Sequence, residues 1–152
     1  MIRPFQAEDK DIFLTMSDEF YHSEAVDHPV SSENWLRTFD AIIEGQSLAK
    51  GWMIIAGDGR PAGYLLASLM WSGEFGGLVC WLEELYVRSD FRGQGLGGQA
   101  MKTAMEEVRK KNKVLGYRLE VAPANAGVEE IYQKVGFTRV PYNQWWKAVE
   151  VA

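Results

Sequence analysis

The chain has 152 residues, 47% of them hydrophobic and 24% charged, with a formal net charge of −5. That length suits one domain, residues 1–152, around a single core, and the acidity argues against a nucleic-acid partner while mildly favouring a cationic substrate. Its apolar runs fall short of the ~18 residues that span a bilayer, so no membrane association is expected. The lone Cys80 cannot form an internal disulfide, and the first residues lack the charged start and apolar stretch of a secretion signal, so a reducing cytoplasmic setting is expected.

In chain order, residues 2–5 read as a short strand and 8–21 as a helix, with Ile12, Phe13, Met16 and Phe20 at helical spacing. Ser31-Ser32 offers an N-cap for a second helix through Glu44, buried through Trp35, Phe39, Ile42 and Ile43. Residues 52–56 and 61–71 flank Gly57-Asp58-Gly59-Arg60 as a β-hairpin, and 78–87 form a fourth strand. From Leu96 an apolar stripe through Ala100, Met101, Ala104, Met105 and Val108 makes a helix that ends in dipole-complementing Arg109, Lys110, Lys111 and Lys113. Residues 117–122 are a fifth strand stopped by Pro123, and Val128 to Val135 a short helix closed by Gly136. Residues 137–140 and 145–151 are expected to close the sheet as two further strands.

Between the fourth strand and its following helix lies Arg92-Gly93-Gln94-Gly95-Leu96-Gly97-Gly98. Glycines admit positive φ and close ligand approach, and the first amides of a helix meet an anion with the dipole's positive end behind them. As a P-loop the stretch fails, because Gln99-Ala100 stand where Lys and Ser or Thr are needed. Gly93-x-Gly95-x-x-Gly98 also fits the dinucleotide fingerprint, with Glu120 as the ribose acid, but it lies well past the middle of the chain instead of at a first strand-to-helix turn. The third pattern is Arg92-x-x-Gly95-x-Gly97.

Together with Leu85-Tyr86-Val87 before it and with Asn125 and Ile131-Tyr132-Gln133-Lys134-Val135-Gly136-Phe137 after it, that pattern resembles the GNAT family of N-acetyltransferases over residues 81–137. The resemblance implies an α/β, three-layer domain with a mixed, mostly antiparallel sheet of six to seven strands flanked by about four helices. It implies acetyl-CoA as co-substrate, with its pyrophosphate on Arg92, Gly93, Gln94, Gly95, Leu96, Gly97 and Gly98. Leu85, Tyr86 and Val87 would supply backbone donors to the thioester oxygen, and Asn125 and Tyr132 would lie along the pantetheine arm. A small-molecule amine acceptor, no metal and a homodimer complete the family expectation.

A catalytic base is the remaining requirement, since an amine of pKa near 10 is mostly ammonium at neutral pH. Regular alternation of the fourth strand would put Val79, Trp81, Glu83, Leu85 and Val87 on one face, with Glu83 the one carboxylate in an apolar row. Desolvation there would raise its pKa into a useful range; an ion pair, or exposure beyond a bulge, would not. Glu83 is the expected base, although the family often kinks this strand, which would turn Glu84 into the cleft and let it meet the requirement instead. Tyr132 is the acid that returns a proton to the leaving thiolate, or else a core residue with a satisfied hydroxyl. Leu82-Glu83-Glu84 through Arg92-Gly93 is most similar to the diamine and polyamine acetyltransferases, by which Glu84 would help bind a cationic chain. The acceptor pocket is expected from residues 21–35 and 71–75. A non-catalytic acyl-CoA-binding sensor on the same scaffold is the alternative. His22, His28, Cys80 and the tryptophans carry no functional expectation.

Overall fold

Alternating apolar side chains let a strand feed two layers at once, one from each face. In the computed structural model, which describes residues 1–45 and 48–150, five strands do this in the order β1-β2-β3-β4-β5. They are β1 (Ile2–Pro4), β2 (Ala49–Ile55), β3 (Pro61–Ser72), β4 (Gly77–Val87) and β5 (Gly116–Leu119). The first three pairings are antiparallel and β4–β5 is parallel, so the sheet is mixed and mostly antiparallel.

Helices α1 (Lys10–Tyr21) and α2 (Ser32–Ile43) cover one face, and α3 (Leu96–Asn112) and α4 (Glu129–Val135) the other. Strand β3 serves both layers: Tyr64 and Leu66 join Phe13, Phe20 and Phe39 on the first face, and Leu65 and Ala67 meet Met101 and Ala104 on the second. Truncating a fully buried side chain such as Leu65 to Ala would cost about 2–5 kcal/mol. The expected N-cap is present, with the Ser31 hydroxyl accepting from the Glu33 amide at 3.3 Å. Gly136 closes α4 at a φ of 102°. Gly63 is required by close approach, because a Cβ there would collide with the Tyr86 carbonyl oxygen across the β3–β4 ladder.

The expected strand count is corrected to five among the described residues. Residues 137–150 form no strand, and Val151 lies outside the described residues. The reason is burial: Trp145 is 93% exposed and Trp146 90%, so the tail presents no apolar face to a layer. Pro141, lacking an amide hydrogen, interrupts it further.

Candidate functional site

Strand β4 builds the site through two irregularities. The first is a bulge: Leu66 pairs with Glu84 and Ala67 with Leu82, so Glu83 is an extra residue opposite no partner. The expected regular alternation is therefore corrected. Leu82 and Leu85 now share the α3 face, while Glu84 and Tyr86 turn toward α1. Glu83 is exposed and accepts from the Ser68 hydroxyl at 2.6 Å. Glu84 is the enclosed carboxylate: Oε2 accepts from the Tyr64 hydroxyl at 2.8 Å and Oε1 from the Tyr21 hydroxyl. Burial pushes its carboxyl up to about 8, because the charged form loses its hydration.

The second irregularity is a parting of strands. Strands β4 and β5 pair only from Val79 opposite Gly116 to Leu82 opposite Leu119, and β4 then continues alone on that side to Val87. The Arg88 amide donates to the Ala62 carbonyl at 2.8 Å, and hydrogen-bonded pairs alternate along an antiparallel ladder. The amides of Glu84 and Tyr86 are thus spent on β3, and those of Leu85 and Val87 point into the gap. Of the three residues expected to offer donors, Leu85 and Val87 thus have their amides on the side of the gap and Tyr86 has its amide on the side of β3. The Tyr86 side chain faces α1, where its hydroxyl donates to Glu19 at 2.8 Å.

The gap opens as a cleft of about 540 Å³, part of it open to solvent, and it brings together Glu83, Glu84, Leu85, Asn125 and Tyr132. Among the described residues its lining holds three carboxylates, Glu83, Glu84 and Glu120, and no lysine or arginine. Asn125 sits in the 3₁₀ turn Pro123–Val128, its amide bonded to the Ala122 carbonyl at 2.8 Å. Tyr132, on α4, is partly buried with its ring edge-on to Phe137. Burial raises its pKa, so the phenol keeps its proton, and among the described residues no hydrogen-bond partner contributes to that shift.

At the mouth of the gap the glycine turn has the conformation that the sequence requires. Gly93 and Gly95 both adopt a φ of 75°, and Gly95 is the left-handed N-cap of α3. No side chain caps that helix and its first turn carries no acid, so its leading amides and the positive end of the dipole stand open. Gly98 faces open space, and a Cβ on Gly97 would meet only Leu85 and Val87 side chains at 3.6 Å. Leu96 anchors the turn against Ile54 and Phe91, and Gln94 is exposed. Arg92 is exposed with its Nε on the Val87 carbonyl at 2.8 Å.

The acetyltransferase (GNAT) family profile matches residues 13–137, which takes in most of α1, the bulge, the glycine turn and Tyr132. The chain belongs to the GNAT family. A curated relative, an uncharacterized N-acetyltransferase of Methanocaldococcus jannaschii, is 27% identical over 97 residues; the match covers 63% of this chain and 42% of that one. Among solved structures, an integron cassette protein from the mobile metagenome of Cole Harbour Salt Marsh superimposes with a TM-score of 0.81 at 23% identity, covering 99% of this chain and 91% of that one. The aminoglycoside antibiotic 6'-N-acetyltransferase AAC(6')-IG of Acinetobacter haemolyticus gives 0.78 at 15% identity, covering 99% of each chain. AAC(6')-Iy, solved with the bisubstrate analog CoA-S-monomethyl-acetylneamine, gives 0.80 at 18%, covering 98% of this chain and 97% of that one. At these identities the likeness is one of fold.

Sequence reasoning passed over two members of the site, Tyr21 and Tyr64. Tyr64 carries the one hydroxyl in an apolar stretch of β3, and Tyr21 falls at the end of a helix in the segment expected to shape the acceptor pocket. Cys80 is fully buried, and burial pushes its thiol to about 12, so it offers no thiolate. His22 and His28 pair with Asp18 and Asp27 at the surface.

Proposed function

We propose that the chain is an acetyl-CoA-dependent N-acetyltransferase acting on a small cationic primary amine. The observation that carries this reading is an enclosed carboxylate, Glu84, lining one cleft with Asn125 and Tyr132 on the strand that parts from β5 and runs on toward the glycine turn. The pyrophosphate of the donor lies on residues 92–98, where Arg92 and the open amides of α3 answer its charge. The pantetheine arm follows the gap past Asn125, and the amides of Leu85 and Val87 meet the thioester oxygen as it becomes an oxyanion.

Glu84 accepts a proton from the ammonium form of the acceptor, directly or through water. The freed amine adds to the carbonyl carbon, the carbon–sulfur bond breaks, Tyr132 protonates the departing thiolate, and the second proton shed by the nitrogen passes through water to restore the Tyr132 phenol. Glu83, exposed at the bulge, helps hold the cationic acceptor. This order reverses the one read from sequence, and the different surroundings of the two carboxylates support the reversal. Three carboxylates in the cleft, with no lysine or arginine among the described residues that line it, favour a polyamine-like or other cationic acceptor. The reading carries with it a single domain, a homodimer and a cytoplasmic location.

Its test is a thiol-release assay with acetyl-CoA against polyamines, amino acids, aminoglycosides and peptides. Turnover with a cationic member is expected. CoA binding with no turnover across the panel would favour a sensor, and thermal stabilisation by NAD with none by CoA would sink the reading altogether.

A further inference from the structure

Both carboxylate oxygens of Glu84 are occupied by phenols that come from different elements and have different freedom to move. Tyr64, in the middle of β3, is fully buried and its ring packs edge-on against Phe13 at 5.0 Å. Its hydroxyl holds Oε2 at 2.8 Å. Tyr21 is the last residue of α1 and partly exposed, and its hydroxyl holds Oε1. The Tyr21 ring stacks on Trp35 at 5.3 Å with an interplanar angle of 10°, so its plane is fixed by α2 while its hydroxyl end reaches over the carboxyl group.

We propose that these two phenols are positioning residues with separate tasks: Tyr64 fixes Oε2 and favours the ionised form of the enclosed carboxylate, and Tyr21 covers Oε1 until an acceptor amine displaces it. The inference rests on the reading of Glu84 as the base. Two O–H donors stabilise the charged form of a carboxylate, opposing the desolvation that disfavours it. An ammonium arriving at Oε1 replaces a neutral donor by a charged one, which makes the exchange favourable on contact. Because Tyr64 closes the other oxygen, the amine has one place to deliver its proton.

The neighbouring charges do not account for the same effect. On α1, Glu19 is answered by the Tyr86 hydroxyl at 2.8 Å and the Arg88 guanidinium at 2.9 Å, so neither Glu19 nor Arg88 is left to act on Glu84 alone. Ser17, also on α1, bears on the Tyr64 hydroxyl. Glu83 and Glu120 share the cleft and, like the burial that carries Glu84 to about 8, favour its neutral form; Tyr132 faces it uncharged from α4. The two phenols are the groups bonded to the carboxylate that pull the other way.

Tyr21→Phe removes only the hydroxyl and keeps the ring on Trp35. Carboxyl carbon NMR on glutamate-labelled protein, with Glu84→Gln to assign the signal, reads the titration of Glu84 without reference to turnover. The expected result in Tyr21→Phe is a midpoint higher by about one pH unit. Alongside it, kcat/KM at neutral pH should fall up to about tenfold and recover as pH rises, with the KM for acetyl-CoA unchanged. Tyr64→Phe should shift the midpoint in the same direction; if that variant fails to fold, Tyr21→Phe decides alone. An unmoved titration in Tyr21→Phe overturns the proposal. A moved titration beside an unmoved rate profile supports the phenol bracket and removes Glu84 from the role of base.

Discussion

Glu83 and Glu84 are consecutive in the chain, yet both face the α1 side of the sheet, bonded to Ser68 and Tyr64 of the same strand. A regular strand would send them to opposite faces; the bulge permits the coincidence. One peptide bond therefore separates an exposed carboxylate from an enclosed one, and their chemistry should diverge accordingly.

Replacing Glu84 by Gln should lower kcat on the order of 10²- to 10⁴-fold while leaving CoA affinity intact, as loss of a general base does. The matching change at Glu83 should act mainly on the KM for the acceptor. Steady-state kinetics on the two variants with one cationic substrate separates them, and a larger kcat loss at Glu83 would restore the assignment read from sequence.

With the Glu84 carboxyl raised to about 8, the rate should climb with pH through that value, since only the ionised form accepts a proton. Stability has the opposite sign. The folded carboxyl holds its proton more tightly than the unfolded one, whose value is near 4.5, so folding is favoured most below 4.5 and loses this contribution as pH rises to about 8. Denaturant titrations across that window should show a slope that Glu84→Gln abolishes.

Tyr132→Phe should reduce kcat by roughly 10²-fold when thiolate departure limits turnover, with no loss of CoA binding. Because burial raises this phenol's pKa, its ionisation should cut the rate only on the alkaline side of the ordinary tyrosine value. A donor with a more acidic thiol leaving group should rescue the variant, and failure of that rescue would return Tyr132 to a packing role.

Two glycines of the turn should respond differently to alanine. Gly95, at a φ of 75°, would be strained by about 1–2 kcal/mol, visible as a lower Tm. Gly98 faces open space inside the first turn of α3, so alanine there should hold or raise Tm while its methyl group stands where the donor's phosphates approach. Isothermal titration with CoA should show weaker binding by Gly98→Ala without a stability loss.

Much of this was legible in the sequence because the signals were local. The glycine turn, the Ser31 cap and the apolar stripes of the helices follow from neighbours within one or two turns, and the structure carries them, except that Ile43, expected to be buried at the end of α2, is exposed. The bulge was not legible, because Leu82-Glu83-Glu84-Leu85 fits a strand with either glutamate inward and the choice is made by the register against β3. Tyr21 and Tyr64 were missed for a related reason, as they stand 63 and 20 residues from Glu84 in the chain. The closing strands were expected on apolar content alone, which the exposed Trp145 and Trp146 satisfy without any layer to pack on.

The span of β3 from Gly63 to Ser72 is matched by a stretch of β4, Gly77 to Val87, that is one residue longer. Surplus length in one of two joined strips can only be absorbed by curvature, and the longer strip bends away from whatever lies on its other side. Here that neighbour is β5, and β4 leaves it directly after Leu82, one residue before the bulge. Deleting Glu83 would equalise the strips with every other pairing kept. On this account the cleft is held open by a mismatch of a single residue, and its width is a property of chain length before it is one of side-chain chemistry.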